Sequence, residues 1–283
     1  MKKITLSLLA LSTIYSSSSL AQEKYSGFSY AGFGVETATY QETYIDSDGV
    51  AYKTSATTSS PVYTSGSLIN ASKSFDFSID ATSTLSPTQT KEQTQNTTTS
   101  VIVQENQYDS VQSDLRFLLH YKVNNNHRFV FGPEYNQFTM KRYNFVYPGT
   151  DDTIPNTHLN QEDIATLFMM AGYWYESRPF SSNGLRVSFS ALYGTPVYNS
   201  ATNTGIKDIE FSSTDGSMVN INGYIGFELT KGLELGIFGN YALKNKNDES
   251  TEETDTDGTI VWPENELETF RYGISFVWNF DVK

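Results

Sequence analysis

The chain has 283 residues, no cysteine, 19 Lys+Arg against 32 Asp+Glu, and 19 Tyr, 18 Phe and 19 Gly but only 8 Pro. Tyr and Phe favour strands and charged residues are only 18%, which argues against a coiled coil or helical bundle. The missing cysteine excludes disulfides, thiolate zinc sites, a cysteine nucleophile and lipid attachment through an N-terminal cysteine, and a net charge of -13 argues against a nucleic-acid partner.

At the start, Lys2 and Lys3 precede an apolar stretch, Ile4 to Tyr15, and a run of small residues ending in Ser19-Leu20-Ala21. This is the pattern of a secretory signal peptide cut after Ala21. A membrane-spanning helix would need about 20 apolar residues. Residues 1–21 are therefore expected to be a signal peptide and 22–283 a single exported, acidic domain. The longest later run with few polar residues, Ala165 to Tyr175, is 11 residues. What can still cross a membrane is a strand of about 9 to 11 residues with apolar side chains at every second position.

That alternation recurs along the chain. Val111, Leu115, Phe117, Leu119, Tyr121 and Val123 interleave with Gln112, Asp114, Arg116, His120 and Lys122. Leu185, Val187, Phe189 and Tyr193 interleave with Arg186, Ser188 and Ser190, and Val219, Ile221, Ile225, Phe227 and Leu229 with Asn220, Asn222 and Glu228. The period is that of a strand, and no window offers a helical period of similar length. Ten segments follow: 28–40, 62–72, 75–84, 108–123, 128–142, 163–177, 185–197, 217–229, 233–244 and 268–280. Their connections alternate long and short, with the short ones at 73–74, 124–127, 178–184 and 230–232.

Asn124-Asn125-Asn126 and Ser182-Asn183-Gly184 supply residues that tolerate positive φ, and Thr230-Lys231-Gly232 suits a three-residue hairpin loop with Gly in the left-handed position. Leu229 then pairs with Leu233, Phe227 with Leu235, Ile225 with Ile237 and Ile221 with Tyr241. Asp48-Gly49, Pro148-Gly149, Asp215-Gly216 and Asp257-Gly258 are turn signals inside the long connections, so several strands are expected to continue as hairpins above the membrane. The Thr/Gln/Asn/Ser-rich stretch between Ser83 and Gln107 is expected to be mobile.

An even strand number, short turns at one end and long loops at the other resemble the Gram-negative outer-membrane β-barrel proteins. The last segment adds Phe270, Tyr272, Ile274, Phe276, Trp278 and Phe280, similar to the C-terminal signal read by the barrel assembly machinery, although Asp281, Val282 and Lys283 follow it. The expected fold is all-β: an antiparallel transmembrane β-barrel of ten strands, eight or twelve being the alternative counts, with long external loops and short periplasmic turns. The resemblance implies outer-membrane lipid, lipopolysaccharide and the assembly machinery as partners. A secreted β-sandwich is the soluble alternative, and it does not require the long and short alternation.

With the lipid face assigned, the inner face carries Asp76, Asp80, Asp114, Arg116, His120, Lys122, Glu134, Glu176, Arg186, Glu228, Glu234 and, depending on register, Arg271. Both signs occur on neighbouring strands, with Glu176 expected opposite Arg186, and Arg116 opposite or diagonal to Glu134. These are expected to be ion pairs that fill a largely plugged lumen, because an unpaired charge in a partly dry interior is costly. Glu228 and Glu234 face each other across the turn. They either point apart or share a proton, with Lys231 or Arg271 as the candidate cation.

Proteases of the omptin family resemble this chain in length and topology and use inward Asp and His near the outer rim. Asp80, Asp114 and His120 are the nearest match, but His120 lies four residues from a periplasmic turn and His127 lies in that turn. His158, near Asp151, Asp152 and Glu162, sits in an external loop without a family motif, and His120 points inward, unlike the histidine of outer-membrane phospholipases. The expected role is non-catalytic, a structural or surface protein or a narrow pore. The alternative is an omptin-like surface protease or another outer-membrane hydrolase. No cofactor is expected beyond calcium in the last long loop, where Glu253, Asp255, Asp257, Gly258, Ile260 and Glu264 fall at the positions of a calcium-loop pattern, with Glu replacing Asp at the first and Pro263 interrupting it.

Overall fold

The computed structural model describes residues 26–149, 159–177, 184–253 and 259–281, and every regular element among them is a strand. The expected signal peptide, Asp151, Asp152, His158, Asn183, Asp255 and Asp257 lie outside the described residues. In chain order the strands are β1 (Ser26–Ile45), β2 (Ala51–Asn70), β3 (Phe75–Thr84), β4 (Thr90–Asn96), β5 (Ile102–Lys122), β6 (His127–Val146), β7 (Asn160–Glu176), β8 (Leu185–Asn203), β9 (Ile206–Ser212), β10 (Gly216–Thr230), β11 (Leu233–Lys246), β12 (Ser250–Glu253), β13 (Thr259–Trp262) and β14 (Glu264–Asp281).

Ten strand positions close into one antiparallel barrel. The seam is made by β1 and β14, in register from Ser26↔Asp281 to Thr43↔Glu264. β4 continues the position of β3 farther out, pairing like it with β2 and β5. β9 folds back on β8, and β12 and β13 form a separate hairpin.

Side chains alternate because successive Cβ atoms of a strand point to opposite faces. Phe117 and Tyr121 of β5, Phe129 and Phe131 of β6, Phe189 of β8, Ile225 of β10, Ile237 of β11 and Ile274 of β14 all face out and stay exposed. They form an apolar belt next to the short turns, with Arg116, His120, Arg128, Glu134, Arg186 and Arg271 buried behind it. No soluble sandwich would present such a belt, and a closed barrel in an outer membrane requires it.

The strands are longer than their sequence pattern indicates. β1 and β2 are 20 residues each and β5 is 21, roughly 66 Å along the chain at 3.3 Å per residue against an apolar band about 25 Å tall. Tilted strands need about 9 to 11 residues to cross, so roughly half of each of these three stands outside the lipid. The polar stretch expected to be mobile contains β4 and the start of β5. Its Thr and Gln side chains pair across strands there, as in Thr54 with Thr94 at 2.8 Å and Gln93 with Glu105 at 2.7 Å.

The turns use two devices. Gly49, Gly184 and Gly232 take φ values of 77°, 85° and 81°, the left-handed region that glycine enters without a Cβ clash. The Asn124–Asn126 turn does not use positive φ, contrary to expectation. Asn124 Oδ1 instead accepts the N–H groups of Asn126 (2.9 Å) and His127 (3.0 Å), a side chain standing in for a backbone carbonyl. Across the 231–232 turn Phe227 pairs with Leu235, Ile225 with Ile237 and Ile221 with Tyr241, but a bulge after Glu228 puts Thr230, not Leu229, opposite Leu233.

Candidate functional site

The inward residues gather in three charged layers. At the short-turn end Asp76 binds Arg128 Nε at 2.9 Å and Lys122 Nζ at 2.7 Å. Beside them His120, fully buried, shares a hydrogen bond of 2.9 Å with Ser78 Oγ and packs on Trp174 with ring centroids 5.0 Å apart. Across the lumen Arg186 donates through Nη2 to Glu234 at 3.0 Å, while Glu176 lies 3.8 Å from Arg186 Nε. Glu176 pairs in the sheet with Ser188, so the expected Glu176 and Arg186 contact is diagonal rather than opposite.

At mid-barrel Arg116 stands directly opposite Glu134 but binds Asp80 more closely, at 3.3 Å against 3.8 Å. Tyr30 donates to Asp80 at 2.7 Å. Asp114 takes Arg271 at 2.6 Å and Lys244 at 3.1 Å, and Arg271 also binds Glu36 at 2.6 Å. These bonds tie β5 to β11 and β14 across the barrel. The third layer lies beyond the apolar belt, where Arg142 meets Glu42 and Glu92 at 2.8 Å each and Glu162 at 3.0 Å. Burial pushes the Glu162 carboxyl up to about 7; Arg142 pulls against it, and the Glu42 and Glu92 charges add to it.

Apolar side chains pack beside and above the charged layers. Leu118, Val130, Phe168, Met170, Leu192 and Met218 pack together at mid-height. Tyr40, Tyr108, Phe138, Met140, Ile164 and Trp262 fill the outer part.

Glu228 and Glu234 are cross-strand partners, yet their side chains diverge. Glu228 accepts the Gly232 N–H at 3.1 Å, and Glu234 is held by Arg186 and Asn279, so neither Lys231 nor Arg271 is its cation. Of the calcium pattern in the last long loop, Asp255, Asp257 and Gly258 lie outside the described residues. Glu253 pairs with Thr259 within the β12–β13 hairpin, whereas Glu264 pairs with Thr43 at the barrel seam. Among the described residues no group of His, Asp and Glu is arranged to hold a metal ion.

Glu36, Glu42 and Glu92 were not visible as inner-face charges in the sequence. The inner face of β1 also carries Phe28, Tyr30, Gly32, Gly34 and Tyr40, so no polar and apolar contrast marks Glu36 and Glu42 there. Glu92 sits in the stretch that seemed unstructured; its even-numbered phase with Thr90 and Thr94 was the available signal.

No family model and no curated protein matches this chain. Among solved structures, the outer membrane protease OmpT from Escherichia coli superposes with a TM-score of 0.68 at 10% identity, over 90% of this chain and 97% of that one. The outer membrane protein OprG from Pseudomonas aeruginosa aligns over 90% of this chain and 96% of its own at 10% identity, with a TM-score of only 0.35. At such identities the likeness is one of fold. The chain has the architecture of an outer-membrane β-barrel, in keeping with its belt, its turns and its closed ten-strand sheet. The two described histidines, His120 and His127, both lie at the short-turn end; His127 bonds the Tyr173 hydroxyl through Nδ1.

Proposed function

We propose that this protein is a non-catalytic outer-membrane barrel with a lumen closed to solutes, which displays its long-strand lobe at the cell surface. The observation that carries this reading is the set of ion pairs across the lumen: Asp114 on β5 with Lys244 on β11 and Arg271 on β14, and Arg142 on β6 with Glu42 on β1. A water-filled pore keeps its charges on the wall, whereas here opposite walls are bonded to each other with apolar side chains packed between the layers. Planar-bilayer recording of the refolded protein tests it. The expected result is no steady conductance for the wild type and conductance after Asp114→Ala with Arg142→Ala. Steady wild-type conductance would overturn closure, and peptide cleavage by the refolded barrel would overturn the non-catalytic reading.

A further inference from the structure

One part of the lumen is not filled. A cavity of about 130 Å³ lies between the short-turn and mid-barrel layers, bounded by β7, β8, β10, β11 and β14 among others. It has room for about four waters. Its lining contains a concentration of buried polar atoms without hydrogen-bond partners: both oxygens of Glu176, Arg186 Nη1, Trp174 Nε1, the Tyr224 hydroxyl and Glu134 Oε2. Native interiors leave few such groups unpaired, so their convergence on one cavity calls for an occupant.

Glu176 decides the chemistry of that occupant. Asp76, Asp80, Asp114, Glu36 and Glu234 each accept at least one hydrogen bond or short ion pair from another strand. Glu176 is only 1% exposed, and no cation reaches its oxygens at hydrogen-bond distance: Arg186 Nε stands 3.8 Å away, and the Trp174 indole is the other donor beside it. Arg186, the nearest cation, is turned toward Glu234. A buried carboxylate in this condition is strongly unfavourable unless it takes up a proton or a donor-bearing cation joins it.

The surrounding surface favours an organic cation over a bare ion. The cavity is walled by the rings of Trp174 and Tyr224, whose faces attract ammonium groups and accommodate their alkyl part, while the Phe28 ring is already covered by the Arg186 guanidinium, 4.5 Å from its centroid. The Tyr224 ring is held flat against the wall because Gly236 carries no side chain: a Cβ there would stand 2.5 Å from the ring.

We propose that the lumen cavity beside Glu176 is a binding site for a small organic ammonium ion, with Glu176 accepting its N–H donors and Trp174 and Tyr224 packing against its carbon. Occupancy of this site and conduction through the barrel are separate properties. The test is calorimetric titration of the refolded, detergent-solubilised barrel with methylammonium chloride at ionic strength held constant with sodium chloride. Saturable binding is expected, weakened at least tenfold by Glu176→Gln and unchanged by Glu228→Gln at the same end. Independently, methylammonium should raise the wild-type unfolding midpoint while the same concentration of sodium chloride does not. This second measurement decides the matter if Glu176→Gln fails to refold. Absence of saturation in the wild type, equal binding by Glu176→Gln, or the same midpoint shift from sodium chloride would overturn the proposal, as would saturation by glycine but not methylammonium.

Discussion

Between Arg116 and Lys122, β5 turns Phe117 and Tyr121 outward and buries Arg116 and His120; between Asn106 and Ser110 the same strand turns Gln107 and Asp109 outward and buries Tyr108. β6 repeats the inversion, with Phe129 and Phe131 outside Arg128 near the short turns, and Thr139 and Lys141 outside Phe138 and Met140 farther out. The phase of the pleat does not change along either strand. What changes is the medium outside, from hydrocarbon to water, so the side chains exchange polarity while the backbone continues unaltered. The membrane half is held by belt and lumen ion pairs, the outer lobe by apolar side chains packed around the Arg142 cluster.

The largest effect should come from breaking the lumen network. Asp114→Ala takes from Lys244 the carboxylate it binds and leaves Arg271 with Glu36 alone, and should cost about 3–5 kcal/mol in a urea refolding titration into vesicles. In the outer lobe the equivalent loss should come from an apolar truncation: Met140→Ala, at 1% exposure, should cost about 2–5 kcal/mol. Equal sensitivity of that lobe to loss of an outward polar residue would contradict the inversion. Phe117→Arg, in the belt, should cost about 2–4 kcal/mol if it lies near the midplane, while Ser59→Arg, outward on β2 above the belt, should stay within about 0.5 kcal/mol.

A smaller effect distinguishes the lobe by pH. The folded Glu162 carboxyl, raised to about 7, binds its proton more readily than the unfolded one. Stability from this group is therefore greatest below the ordinary glutamate range near 4.5 and declines as pH rises through about 7. The unfolding midpoint should be higher at pH 5 than at pH 8, with the difference reduced in Glu162→Gln. The smallest effect is expected at the facing glutamates. Glu228→Gln keeps an oxygen for the Gly232 N–H and should shift stability by no more than about 0.5 kcal/mol, whereas Glu234→Gln, which weakens the bond to Arg186, should be clearly destabilising.

The same inversion explains what could be read from the sequence. In the membrane half, lipid demands apolar residues at every second position, so the phases of β5, β8, β10, β11 and β14, and the inward direction of Arg116, Arg186 and Glu234, follow from pattern alone. Above the belt, outward Thr, Ser and Gln neighbour inward Thr and Ser, as at Thr54 to Ser60, and the alternation vanishes although the ladder continues. Strand ends, β4 and the carboxylates that gather on the inward Arg142 are unmarked in the pattern for that reason. The diagonal contact of Glu176 with Arg186 depends on the register set across residues 177–184, which no pairing rule for a loop of that length fixes.

The seam between β1 and β14 joins residues more than 200 positions apart, Ser26 with Asp281 and Thr43 with Glu264. Every other neighbouring pair of barrel strands can form as soon as its own hairpin exists, but this one must wait for the final eighteen residues of β14. Until then both flanks of the sheet present unpaired N–H and C=O groups, which hydrocarbon does not tolerate. Closure of the seam therefore carries the largest loop-closure cost of any strand pair in the barrel, and a chain shortened before Glu264 leaves an open sheet instead of a slightly smaller barrel.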